Sequence, residues 1–195
     1  MRIKICGITN KEDALNAVSL GADAIGFIFY ENSPRYIHPD AVEEIMMFLP
    51  PFVSTVGVFV NHSRDYINQV VNQCRLNVIQ LHGEEAPKDC QGYKQRVIKA
   101  IRVFGPEDLQ NIHNYQGVVS GVLLDTKVEG VQGGTGKTFD WGLALKAKEN
   151  DVPLILSGGI NAENVRKAVK LVNPYGMDLC SGVEREPGLK DYNKM

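Results

Sequence analysis

Arg2-Ile3-Lys4-Ile5-Cys6-Gly7-Ile8-Thr9 is an alternating apolar run that ends on a cysteine, turns at a glycine and leads directly into a helical pattern from Asn10. A short apolar run followed by a turn and a helix reads as a buried strand entering a βα turn. Cys6 then stands at the C-terminal end of that strand. Open α/β sheets and α/β barrels place reactive groups there, because the loops are free to vary while the strand holds the side chain rigidly. Taken alone, Cys6 is more readily read as a small buried hydrophobe, the usual fate of cysteine.

Working outward, the same unit repeats. An apolar stripe over residues 11–20 predicts a helix stopped by Gly21, and residues 24–29 form a second apolar strand. Further strands are expected over 53–60, 77–81, 97–103, 117–124, 152–156 and 177–180. Helices are expected over 40–49, 64–74, 140–148 and 162–171, the last capped by Asn161, with a weak helix from Glu84 and a short one over 106–115. Near-continuous apolar strands alternating with helices, at roughly 20 to 25 residues per unit, argue for a parallel sheet covered by helices and closed into a barrel. The expectation is an α/β chain forming a single (β/α)8 TIM barrel over 1–195, with a short closing helix from Leu189. An open flavodoxin-like or Rossmann sheet would leave strands without places.

Composition narrows the function. With 44% hydrophobic and 23% charged residues the chain has the make-up of an ordinary soluble domain, and a net charge of -2 supplies no field to draw nucleic acid or an anionic membrane. No apolar run approaches the roughly 20 residues that span a bilayer, and no leader pattern follows Met1. Cys6, Cys74, Cys90 and Cys180 form no C-x-x-C pair, so they read as reduced thiols of a cytoplasmic protein, and the scattered histidines argue against a zinc site.

Closure of a barrel would gather Cys6, Arg35, Asn61, Gln80, His82, Asp125, Gly158, Gly159, Ser181 and Gly182 on one rim. Ser157-Gly158-Gly159-Ile160-Asn161 and Ser181-Gly182 bare the backbone after the seventh and eighth strands, the position where barrels frequently hold phosphate on free N–H groups. The plainer reading is that these glycines serve tight turns. Gly133-Gly134-Thr135-Gly136-Lys137-Thr138 resembles the end of a Walker A loop, but Val131 stands where that motif needs glycine, so a glycine-hinged lid accounts for it better.

Cys6 and Asp125 suit a thiol base and a carboxylic acid. A free cysteine of pKa about 8.5 is only a few per cent thiolate at neutral pH, so the site must favour ionisation, and the helix N-terminus near Asn10 is one source. Burial would keep Asp125 protonated until it donates; otherwise it is a solvated loop aspartate. Arg35 offers a planar fork for a carboxylate, although a surface role is the commoner one, and Gln80 and His82 could line the cavity or be structural.

Lys4-Ile5-Cys6-Gly7-Ile8-Thr9, Gly26-Phe27-Ile28-Phe29 with Ser33-Pro34-Arg35, Val56-Gly57-Val58-Phe59, Gln80-Leu81-His82-Gly83 and Leu124-Asp125-Thr126 resemble the phosphoribosylanthranilate isomerase family. So do Gly133-Gly134-Thr135-Gly136 with Phe139-Asp140-Trp141, Ser157-Gly158-Gly159-Ile160, and Ser181-Gly182-Val183-Glu184 with Pro187-Gly188. The resemblance implies an aldose-ketose isomerase of tryptophan biosynthesis that uses neither metal nor cofactor, takes a small phosphosugar substrate, and is a monomer or homodimer. It implies Asp125 as general acid, Cys6 as general base, Arg35 on the anthranilate carboxylate, and backbone amides around Gly158, Gly159, Ser181 and Gly182 on the phosphate. Cys180 departs from the serine more usual in the family. The rival barrels are indole-glycerol-phosphate synthase, which would need a catalytic lysine such as Lys4 or Lys99, and a pentose-phosphate epimerase, which would need metal ligands.

Overall fold

β1 (Arg2–Cys6) hydrogen-bonds to β2 (Ala24–Ile28) on one side and to β8 (Gly176–Leu179) on the other, so Lys4 lies opposite Ala24 and also opposite Asp178. Between them, β3 (Ser54–Phe59), β4 (Val78–Leu81), β5 (Arg96–Val103), β6 (Gly121–Thr126) and β7 (Leu154–Leu156) complete a closed parallel barrel of eight strands in chain order. The structure is a computed structural model, and it describes residues 1–126 and 140–195. The lid expected at Gly133–Thr138 lies outside the described residues.

Alternation along each strand sends every second side chain inward. Lys4 and Cys6 of β1 share the inner face with Gly26 and Ile28 of β2 and with Asp178 of β8, whereas Ile5, Ile25 and Leu179 belong to the apolar layer under the helices. Phe27, Phe29 and Phe59 are fully buried in that layer, and the rings of Phe29 and Phe59 stack at 5.2 Å.

Five α-helices cover the described part of the barrel: α1 (Lys11–Ser19), α2 (Pro39–Met46), α3 (Arg64–Gln73), α4 (Trp141–Ala147) and α5 (Val165–Val172). Local chemistry sets their starts. Asn10 Oδ1 accepts from the Asp13 N–H, proline opens α2 where no backbone donor is needed, and Ser63 and Asp140 cap α3 and α4. None of the helices among the described residues is long and apolar enough to cross a membrane.

Three expectations are corrected. The segments after β4 and β5 make only 3₁₀ turns, Pro87–Cys90, then Pro106–Leu109 and Ile112–Tyr115. Their weak apolar stripes cannot sustain a helix, and Asp89 and Asp108 satisfy the preceding amides of Ala86, Phe104 and Gly105 instead. α5 starts at Val165, later than expected, because Asn161 accepts from the N–H groups of Glu163 and Asn164 while Asn164 accepts from that of Asn161, closing a separate turn first. The closing helix from Leu189 is absent: β9 (Glu184–Glu186) and β10 (Leu189–Lys190) form a hairpin whose turn contains Pro187 and Gly188, the latter at φ +85°. Proline opposes helix continuation and glycine supplies the left-handed conformation, so the chain folds back on itself.

Candidate active site

A single cavity at the C-terminal ends of the strands is lined by Cys6, Arg35, Gln80, His82, Asp125, Gly158, Gly159, Ser181 and Gly182. Ile28, Val58, Val60 and Ile160 give it an apolar wall, to which Tyr30 adds a ring. Asn61 is not among the lining residues: its side chain accepts from the Glu84 N–H at 2.7 Å and serves the loop after β3.

Cys6 is 5% exposed. Its thiol is lowered to about 6, first by a hydrogen bond from the Cys180 side chain and then by the positive charge of Lys4, against burial and the charge of Asp178. In the same exchange Cys180 is held well above its ordinary range, so it stays a thiol and donates. These side-chain neighbours act on Cys6 directly.

Asp125 lies inside β6 and is buried, with the Thr126 N–H donating to Oδ1 at 2.8 Å. Oδ2 faces His82 Nε2 at 3.3 Å. The Gln80 amide nitrogen lies 3.0 Å from His82 Nδ1 and donates to it, which places the ring proton on Nε2, toward Asp125. Gln80 Oε1 makes no hydrogen bond within the described residues, and His82 Nε2, although it faces Asp125, makes none either.

Arg35 is buried rather than on the surface, and Glu184 grips it in a fork, Nε to Oε1 at 2.9 Å and Nη2 to Oε2 at 2.7 Å. Lys190 Nζ holds the same carboxylate at 2.8 Å. Burial opposes the guanidinium's charge, but Glu184 and the facing sulfurs of Cys180 and Cys6 raise its pKa further. This fork fixes the guanidinium plane and leaves the Nη1 edge to meet a second carboxylate.

The two glycine loops pack on each other. A methyl on Gly182 would lie 1.9 Å from the Ile160 carbonyl oxygen, and one on Gly158, at φ +81°, would lie 2.6 Å from the Thr126 nitrogen. Among the described residues the N–H groups of Gly158 and Gly159 have no hydrogen-bond partner. Bare donors at the mouth of a barrel suit an anion.

Lys99 does not enter the cavity, since its ammonium is held by Glu85 Oε2 at 2.8 Å and by the carbonyls of Leu81 and Gly83. A model of the N-(5'phosphoribosyl)anthranilate (PRA) isomerase family matches residues 3–195. The chain belongs to the PRA isomerase family. The N-(5'-phosphoribosyl)anthranilate isomerase of Geobacter metallireducens is 49% identical over 195 residues, covering 100% of this chain and 95% of that protein. Among solved structures, phosphoribosyl anthranilate isomerase of Thermotoga maritima superposes with a TM-score of 0.93 at 47% identity, covering 100% of this chain and 94% of that one. Another PRA isomerase, solved in complex with reduced 1-(o-carboxyphenylamino)-1-deoxyribulose 5-phosphate, matches with a TM-score of 0.89 at 45% identity, over 100% of this chain and 94% of that one.

Sequence reasoning missed several partners that this PRA isomerase cavity depends on: Asp178 beside Lys4, Cys180 as a donor to Cys6, and Glu184 behind Arg35. The signal for the first two was available in the period of two. Lys4 precedes Cys6 by two residues on a strand, as Asp178 precedes Cys180, so each pair shares a face.

Proposed function

We propose that the chain converts N-(5-phosphoribosyl)anthranilate into the 1-deoxyribulose 5-phosphate derivative by an Amadori rearrangement in tryptophan biosynthesis, without metal or cofactor. The observation that carries this reading is the single cavity shared by Cys6, Asp125 and the two glycine loops.

Asp125 acts as general acid. It protonates the ribose ring oxygen, the C1′–O bond breaks, and the aniline nitrogen's lone pair forms the C=N bond of a Schiff base. Cys6, as thiolate, then takes the C2′ proton, and the C–H electron pair moves to give the enolamine, which tautomerises to the ketone. His82 Nε2 faces that carboxyl group at 3.3 Å and is near enough to engage it during proton transfer. Arg35 meets the anthranilate carboxylate beside the apolar wall, and the amides of Gly158, Gly159, Ser181 and Gly182 hold the phosphate. Each proton transfer contributes roughly 10² to 10⁴-fold, and the two anchors hold the sugar between acid and base.

The test follows the fluorescence of freshly made phosphoribosylanthranilate with and without chelator. Turnover that persists in chelator, and that Cys6→Ala and Asp125→Asn each reduce by at least 10²-fold while retaining product binding, supports the assignment. Turnover lost on chelation, or near wild type in either variant, overturns it.

A further inference from the structure

A thiolate buried to the extent of Cys6 needs a compensating charge, and the structure supplies one from the same strand. Lys4 and Cys6 both pack against the bare face of Gly26 on β2: a methyl there would lie 2.8 Å from Cys6 Sγ, 3.0 Å from Lys4 Cε and 3.2 Å from Lys4 Nζ. The ammonium and the thiol therefore occupy adjoining space inside the barrel. Lys4 Nζ donates to Asp178 Oδ1 at 2.8 Å, and the two side chains are 7% and 5% exposed. Ser157 Oγ lies 3.5 Å from the other Asp178 oxygen, and the register of β1 with β8 places Lys4 directly opposite Asp178. A buried ion pair of this kind contributes little net stability compared with apolar residues of the same volume. Its position directly below the reacting sulfur calls for a different explanation.

We propose that Lys4, anchored by Asp178, is a positioning residue that holds Cys6 ionised and aimed into the cavity. This inference rests on the reading of Cys6 as the base. The resting site carries an ammonium, a carboxylate and a thiolate; once Cys6 accepts the C2′ proton, the ammonium and carboxylate remain paired and the thiol is neutral. The lysine itself gives up no proton, and Asp178 prevents it from being discharged by burial. Four groups face the sulfur from the elements packed on it: Lys4 from β1, Asp178 from β8, Cys180 just after β8 and Arg35 from the loop after β2. Of these four only Asp178 opposes ionisation, with burial acting in the same sense, so removing Lys4 leaves Cys180 and Arg35 alone to offset both.

The experiment titrates the thiol without turnover. Wild type, Lys4→Arg and Lys4→Gln are alkylated with iodoacetamide across a pH series, the Cys6 peptide is quantified by mass spectrometry, and the pH profile of kcat/KM is recorded alongside. Lys4→Gln is expected to raise the alkylation midpoint by about 1 to 3 pH units. Its kcat at neutral pH should fall by roughly 10 to 10³-fold and recover in alkali, while KM moves by less than about 3-fold. Lys4→Arg should keep the midpoint near that of wild type. If Lys4→Gln does not fold, Lys4→Gln with Asp178→Asn leaves no unpaired charge, and its midpoint should lie above that of Asp178→Asn alone, which keeps the ammonium. An unchanged thiol midpoint, with Cys6→Ala inactive, overturns the inference alone. A shifted midpoint with an unshifted rate profile overturns Cys6 as base and the catalytic part of the inference with it.

Discussion

His82 Nε2 stands 3.3 Å from Asp125 Oδ2, and the Gln80 amide nitrogen fixes the ring from its other side at 3.0 Å. His82 stands in the loop after β4 and faces the proposed acid without a hydrogen bond to it, so its expected part is the lesser one. His82→Ala is therefore expected to lower kcat by about 10-fold, against roughly 10² to 10⁴-fold for Asp125→Asn. Steady-state rates of the two variants check the order, and a His82 variant as impaired as the Asp125 variant would contradict it.

If Cys6 is the base, the rate profile should fall on the acid side near that thiol's value of about 6, because protonation below it removes the thiolate. The hydrogen bond from Cys180 is the largest influence lowering that value, so Cys180→Ala should move the acid limb to higher pH. A serine there still donates a hydrogen bond and should move the limb less. Profiles of kcat/KM for the three enzymes decide this, and identical acid limbs would remove Cys180 from the account.

Glu184 is shared by Arg35 and Lys190, and despite burial these cations hold its carboxyl below the ordinary 4.5. A group depressed in the folded state stabilises fully above its unfolded value, and that stability is lost as pH falls through the folded value. The protein should therefore lose stability progressively below about pH 4.5, with Glu85, lowered by Lys99 despite burial, adding to the effect. Glu184→Gln should be less stable by about 3 to 5 kcal/mol at neutral pH, as when a buried pair loses one charge, and the gap should narrow in acid. Urea unfolding at two pH values measures both, and a gap independent of pH would be inconsistent with the pairing.

Gly182→Ala must displace either its own loop or the Ile160 carbonyl, since its methyl would lie 1.9 Å from that oxygen. The two glycine loops should separate, and if they hold the phosphate KM should rise about 10-fold, equivalent to losing one hydrogen bond to a charged group worth about 1.5 kcal/mol. Inhibition by inorganic phosphate should weaken by a similar factor. A rise in KM without weaker phosphate inhibition would place the phosphate elsewhere.

The barrel was legible because strand and helix periods differ so plainly: residues 2–6, 24–28 and 121–126 are apolar runs, each turning where its loop begins. The two glycine loops and Cys6 were legible for the same reason, as they sit where those runs end. Long-range pairing was hidden. Lys4 and Asp178 are 174 residues apart and Arg35 and Glu184 are 149 apart, and no local pattern announces which buried charge meets which. The helix expected from Leu189 failed where a turn competed with it, because the positive φ of Gly188 becomes evident only once β10 is seen to pair with β9.

The seam between β1 and β8 has a consequence for the newly made polypeptide. Synthesis delivers Cys6 long before Asp178 and Cys180, so a nascent chain on the ribosome carries an ordinary, weakly acidic thiol until β8 has emerged. Thiolate character at that position in neutral solution should thus appear late and abruptly, as an internal clock marking the moment when the first and last staves of the barrel meet.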